Sequence, residues 1–386
     1  MATITNSDIS ERICKIQQGD LRQLAAQKQP KLLKTPGHQD GGDDISIRQY
    51  HSDLGHVFPS SRQITFSLLL SSWESSRNPF FHAACVYLPA HEELYITSSP
   101  LTPASSSQNP VILISKVQLT RNVETGTIKS VAWQKLRPPP NMPMPAGGTR
   151  YGEDSILFCS QGSAAPGTGG LYCMPRGRRP EPVVTNFFGR DFNSVHDVVV
   201  SQDGAVWFTD PCDGFERDLR PRPQLPCHVY RYVPETGDLR VMADGLARPH
   251  AIATSRDEET VYVTDTDAVR ADGEQDLIRP ATIYAFDVIK RAGSPFLANK
   301  RVFAYSLAGV PRAIICGSTT DNVYAACGGG VEIWNKGGML LGVIEVPGGV
   351  TSLSFGKAGE LFLGSDQRLW CIRQPGIEES DGPGGF

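Results

Sequence analysis

Six short apolar runs, each entered from a polar turn, recur along this chain of 386 residues. They are "EELYITS" around Tyr95, "DSILFCS" around Leu157, "GAVWFTD" around Trp207, "ETVYVTD" around Tyr262, "DNVYAAC" around Tyr324 and "GELFLGS" around Phe362. A second β-like run follows each of them, as in "HVYRYV" and "TIYAFDV", and a third precedes most, as in "ACVYLP", "DVVVS" and "SLSFG". The centres lie about 40 to 60 residues apart, with no helical periodicity between them. Units of that size, built of several short strands, are propeller blades. A blade cannot bury both faces alone, so six of them must stack around an axis. The expected fold class is all-β, a six-bladed β-propeller spanning residues 76–373.

The ends read differently. Residues 1–75 form an N-terminal arm in which Ile9, Ile13, Ile16, Leu21 and Leu24 fit one face of a short helix beginning after Asn6, Ser7 or Asp8. The loop "TPGHQDGGDD" follows, and then a strand in "ITFSLLLSSW" that is placed to complete the last blade and close the ring. Residues 374–386, "QPGIEESDGPGGF", have the composition of a disordered tail.

Composition narrows the function classes. A formal net charge of −4 with no basic stripe argues against nucleic acid as a partner. No window reaches the ~18 apolar residues of a membrane span. The start of the chain lacks the basic-then-apolar pattern of a secretory signal. Nine cysteines, an odd number with no metal-type C-x-x-C pair, read as free thiols of a reducing compartment, although Cys212 and Cys227 are spaced to bridge a loop. A cytoplasmic enzyme of small molecules is the expectation.

In a propeller the start of each innermost strand borders the central channel. Counting back about a dozen residues from the aromatic centres reaches Ala83, His196, His250 and Arg312. In the second and sixth blades the count carries over less cleanly, and Thr149 and Thr351 are taken as the corresponding positions. The loop "DPCDGFERDLRPRPQLP" is placed to overhang the channel, with Phe215 as a wall residue. No G-x-S-x-G elbow, H-E-x-x-H pair or glycine-rich phosphate loop is present.

From Phe80 to Trp370 the stretches "NSVHDVVVSQDGAVWFTDP", "GLARPHAIA", "VYVTDTDA", "GVPRAI" and "GELFLGSDQRLW" resemble the gluconolactonase/regucalcin superfamily, closest to its fungal lactonohydrolase-like branch. That resemblance implies a six-bladed propeller with one divalent metal in the channel, held by a Glu, two Asn and an Asp, all oxygen donors suited to a hard cation. Matched position by position, the Glu is Ala83, the two Asn are His196 and His250, and the Asp is Arg312. A guanidinium within ~5 Å of a divalent ion repels it by several kcal/mol. Two histidines with Asp197 as a third donor are the one zinc-type set left. The expectation is therefore no metal and no cofactor.

What such a pocket would do follows from its residue types. Arg312 presents forked donors to a carboxylate, enolate or tropolonate, and a neighbouring histidine moves a proton. The chain also resembles the lactonohydrolase-like propellers that fungal tropolone–sesquiterpenoid pathways use as intermolecular hetero-Diels–Alderases. This implies coupling of a tropolone-type ortho-quinone methide with a humulene-type terpene. His196 or His250 would assist loss of water, Arg312 would bond the carbonyl oxygen, and Ala83, Thr149, Phe215 and Thr351 would contact substrate. The alternatives are a metal-dependent lactone or ester hydrolase with a rebuilt site, and a non-catalytic ligand-binding propeller.

Overall fold

The computed structural model describes residues 3–26, 44–102, 110–270, 273–357 and 359–374. Six sheets of four to six strands, antiparallel except for one parallel edge pair, follow one another along the chain. Their innermost strands are Ala83–Leu88, Pro145–Tyr151, Val198–Val200, Pro249–Thr254, Ala313–Cys316 and Ser352–Phe355. In each blade the next strand is one of the six apolar runs, Glu93–Thr97, Ser155–Ser160, Val206–Asp210, Thr260–Asp265, Val323–Cys327 and Glu360–Ser365. These second strands are buried along nearly their whole length, which is why they stand out in the sequence.

The apolar core is not central. It is divided into seams, each shared by two consecutive blades. Leu157, Leu171, Val198 and Phe208 join blades 2 and 3, and Trp207, Ile252 and Val263 join blades 3 and 4. Tyr262, Ala285 and Ala325 join blades 4 and 5, and Ile333, Leu363 and Trp370 join blades 5 and 6. Side chains of neighbouring blades thus fill the space between sheet faces, while the narrow inner ends meet around an axis and leave room for polar groups.

The ring closes through the arm. Thr65–Ser71 pairs antiparallel with Arg368–Arg373 and supplies the outer strand of blade 6. The helix expected from Ile9 to Leu24 is absent. Ile4–Asn6 pairs with the outer strand of blade 1, Arg12–Ile13 with Thr65–Phe66, and Lys15–Gln18 runs parallel to Ser46–Gln49, itself added to blade 5. Helix in the arm is limited to the short Leu21–Ala25, capped by the Asp20 side chain accepting from Arg22 N, and Leu54–Val57. An isolated helix of this length is marginal in water, whereas the open edges of three blades offer unpaired N–H and C=O groups. Ile13 is left 62% exposed, so no apolar face gathers here. Most of the loop at 35–44, and the tail beyond residue 374, lie outside the described residues. No helix among the described residues is long and apolar enough to cross a membrane.

Candidate functional site

Strand register identifies the hub positions. Opposite Tyr95, Leu157, Trp207, Tyr262, Tyr324 and Phe362 stand Val86, Thr149, Val199, Ala253, Ile315 and Ser354. Three residues before each of these inner-strand partners come Ala83, Ala146, His196, His250, Arg312 and Thr351. Blade 2 therefore contributes Ala146. Thr149 lines the channel further along its strand, because the register shift between Pro145 and Gly148 and the short turn into Ser155 compress the count in this blade.

Backbone and hydroxyl bonds pin the ring. Thr97 Oγ1 donates to Ala146 O at 2.8 Å, Thr209 Oγ1 to His250 O at 2.7 Å, and Gly147 N to His196 O at 2.7 Å. A Cβ on Gly147 would stand 2.5 Å from both His196 O and Asp197 Oδ1, so only glycine lets blade 2 approach blade 3 this closely. Asp197 Oδ2 accepts from Ile252 N at 3.0 Å and ties blade 3 to blade 4. Thr351 turns its hydroxyl into the seam, donating to Gly364 O at 3.2 Å.

A cavity of about 540 Å³ runs down the channel from this ring. Ala83, His196, Arg312 and Thr351 line its upper end, Val86, Val199, Ile252, Ile314 and Leu353 its walls, and Gln202, Arg256 and Glu258 its far end. His250 is set back from it, 5% exposed. Its ring lies 3.7 Å from that of His196, centroid to centroid, and its Nδ1–H donates to Arg312 O at 2.8 Å. A carbonyl only accepts, so His250 carries its proton on Nδ1 and leaves Nε2 as an acceptor. Phe215, on the short helix Asp213–Glu216, is 44% exposed and does not line the cavity. The same loop instead brings Asp213 and Arg217 within electrostatic reach of His196 and Arg312.

Burial dominates the electrostatics. It pushes the His196 imidazole down to about 4, with Arg217, His82 and Arg312 adding to the shift against Asp213. Burial, then His196 and Arg312, hold His250 well below the usual imidazole range. Burial raises Asp197 to about 7. Arg312 keeps its charge, as guanidinium does in proteins, although burial lowers its pKa and Asp366 only partly offsets this. Among the described residues no carboxylate, carbonyl or hydroxyl accepts a hydrogen bond from this guanidinium. His196 Nδ1 is likewise buried without a partner.

These residues do not fit the oxygen-donor metal site that the sequence resemblance implies. A methyl group and a fixed cation occupy two positions, and His250 has committed its Nδ1 proton to a carbonyl. Among the described residues no group of three or more His, Cys, Asp or Glu side chains is arranged to hold a metal ion. The cysteines are free, Cys212 and Cys227 included, their sulfurs 3.3 Å apart.

Two groups at the ring escape the sequence count. His82, one residue before Ala83, bonds through Nδ1 to Asp366 Oδ1 at 2.6 Å, across the seam between blades 1 and 6. In "FHAACVY" the count reaches the third position, Ala83, one residue past His82. Asp366 lies in the tight turn of "GSDQRLW", where nothing local marks it.

Over residues 141–367 the chain matches the family model described as SMP-30/Gluconolactonase/LRE-like region. A lactonohydrolase of Aspergillus oryzae, oryL, is 27% identical over 77% of this chain and 66% of its own length. The gluconolactonase of Zymomonas mobilis is 29% identical over 60% of this chain and also 66% of its own length. The chain thus spans just under two thirds of these curated relatives. Among solved structures, a gluconolactonase of Xanthomonas campestris superposes with a TM-score of 0.64 at 22% identity, over 88% of this chain and 97% of that one. At this identity the likeness shows the propeller fold.

Proposed function

The chain belongs to the SMP-30/gluconolactonase/LRE-like family, and from that premise we propose that it is an enzyme which has exchanged the family's metal chemistry for a cationic, metal-independent site. Its proposed reaction is the intermolecular hetero-Diels–Alder coupling of a tropolone-type ortho-quinone methide with a humulene-type terpene. The observation that carries this reading is the unpartnered Arg312 guanidinium facing the channel cavity. A half-buried cation that lines a cavity and has no side-chain acceptor among the described residues presents its forked donors to a ligand oxygen. A carbonyl whose electron density must be drawn off during bond formation is such a ligand.

The steps follow from the groups. A hydroxymethyl tropolone loses its ring O–H proton and its side-chain hydroxyl, releasing one water and leaving the quinone methide. Arg312 donates to the carbonyl oxygen and lowers the energy of the electron-accepting orbital. The terpene alkene then adds across the O=C–C=C unit, forming one C–O and one C–C bond of a dihydropyran with no further proton transfer. The cavity volume of about 540 Å³ lies within the range of small-molecule sites. Its valine, isoleucine and leucine walls suit a hydrocarbon partner, and holding two reactants in register contributes up to ~7–11 kcal/mol in favourable cases.

The test uses chelator-treated protein with a hydroxymethyl tropolone and humulene. Faster, stereochemically biased dihydropyran formation than in buffer supports the reading, and a product identical in rate and ratio to the buffer control removes it. Lactone or ester hydrolysis is the second reading, favoured by the relatives' names and by the His82–Asp366 pair, which has the form of a base with its orienting carboxylate. Turnover of a simple lactone, with no coupling activity, would favour it.

A further inference from the structure

We propose that ligands reach Arg312 from the face of the ring opposite the loops that cover the hub, through a collar of six side chains, so that the oxygen-bearing reactant must bind before the terpene. The route is independent of the coupling reaction above, whereas the order of binding rests on it.

The inner strands set the geometry. The hub ring of Ala83, Ala146, His196, His250, Arg312 and Thr351 stands near their starts. Three residues further along comes the collar of Val86, Thr149, Val199, Ala253, Ile315 and Ser354. Its members share one level because each is paired with the centre of its own blade's second strand. Three residues further again, blades 3, 4 and 5 contribute Gln202, Arg256 and Ser318. Of these three levels, all but Ala146 and His250 line the channel cavity. At a strand rise of ~3.3 Å per residue, successive levels lie about 10 Å apart and the channel runs about 20 Å along the strands. A volume of about 540 Å³ drawn out over that length is a tube.

The two ends of the tube differ. At the hub end, none of the described residues of the loops 211–227 and 266–281 lines it. Those loops are clasped together above the ring by Arg248, 5% exposed, which pairs with Asp213 at 3.2 Å and with Glu216 in the first loop. In the second loop the same guanidinium donates to Val269 O at 2.6 Å. At the far end, Gln202 and Arg256 are exposed and Glu258 and Ser318 half-buried. The turns that carry them are tied to one another. Gln202 N donates to Glu258 Oε1 at 2.7 Å, Gln202 Nε2 to Arg256 O at 3.2 Å, and Arg256 N to Asp321 Oδ1 at 3.0 Å. One end is thus bonded shut and the other is a fixed rim that faces solvent.

A tube with one mouth imposes a sequence on two reactants. The one whose oxygen meets Arg312 has to pass the collar first. The hydrocarbon then fills the space behind it, against Val86, Val199, Ala253 and Ile315. Humulene bound first would occupy the collar and bar the way to Arg312.

The test follows the uptake of tropolone by full-length protein in a stopped-flow spectrometer, read from the ligand's near-ultraviolet absorbance. Thr149→Trp fills the collar without replacing a hub residue and should slow association about tenfold or more, with unchanged circular dichroism. Should that variant fail to fold, Gln202→Trp at the exposed mouth carries the same expectation. Glu216→Ala, which undoes part of the clasp over the hub, should leave the association rate unchanged. In the wild type, preloading with humulene should slow tropolone uptake, and excess humulene should inhibit coupling until the hydroxymethyl tropolone is raised. A wild-type rate in the folded tryptophan variant, or faster association in Glu216→Ala, would overturn the route. Uptake indifferent to humulene would overturn the order and leave the route standing. Wild-type protein that takes up no tropolone would remove both. A route that behaves as expected in a protein that forms no dihydropyran would defeat the coupling reaction alone.

Discussion

Two regions of this propeller bury charge, and they do so in opposite ways. In the outer part of the seam between blades 1 and 2, Glu93 is fully buried and accepts from Lys116 at 2.7 Å, Arg176 at 2.9 and 3.0 Å, and the Tyr95 hydroxyl at 2.9 Å. Those partners overcome the cost of burial and hold its carboxyl down at about 2. Between blades 1 and 6, Arg121 makes the same kind of forked pair with buried Glu360 and a further bond to Glu92. At the hub, by contrast, Arg312 meets no acceptor among the described residues, and two imidazoles beside it are held neutral. The Glu93 and Glu360 carboxylates, which serve the fold, are closed by several side-chain donors. The groups at the hub are left open where the channel cavity meets them, and that difference marks a binding feature rather than a structural one.

The contrast can be broken by experiment. Glu93→Ala, which removes the shared acceptor of Lys116, Arg176 and Tyr95, should cost about 1–3 kcal/mol of stability, read from urea unfolding, with activity lost only through unfolding. Arg312→Ala should do the reverse. Its turnover should fall ~10²–10³-fold while the thermal midpoint stays level or rises, since an unpartnered cation has been removed. A stability loss as large as that of Glu93→Ala would place Arg312 among the structural charges.

Acidification probes the hub from another side. His196 is neutral in the fold down to about pH 4, but protonates near its ordinary value once the chain unfolds. The unfolded state therefore takes up the proton first, so the stability contributed is present above ~6.5 and lost as pH falls towards 4. The loss amounts to at most about 3 kcal/mol. The urea midpoint of the wild type should fall more between pH 7 and 4.5 than that of His196→Phe, and parallel slopes would refute the assignment. Thr351→Val removes a seam hydrogen bond and should cost only about 0.5–1.5 kcal/mol in the same assay. The smallest expected effect is none: chelation, or added calcium or zinc, should shift neither the thermal midpoint nor turnover.

The six second strands were legible because both of their faces are buried, which writes near-continuous apolar runs into the chain. Ala83, His196, His250, Arg312 and Thr351 follow from those runs wherever turn lengths agree. Thr149 missed Ala146 by three residues because the turn and the register shift of blade 2 differ from the rest. The arm failed for another reason. Its isoleucines fit a helical face, but nothing local says that three blade edges are waiting for strands.

Local burial and spacing, properties of short stretches of chain, determined the repeat, the blade count and most of the hub ring. Only the closed ring decided which hub groups have partners. His82 meets Asp366 across 284 residues, His250 turns its N–H to a carbonyl of the next blade, and Arg312 finds no acceptor among the described residues. Partnership across blade seams depends on distances set by ring closure, and no spacing along the chain encodes them.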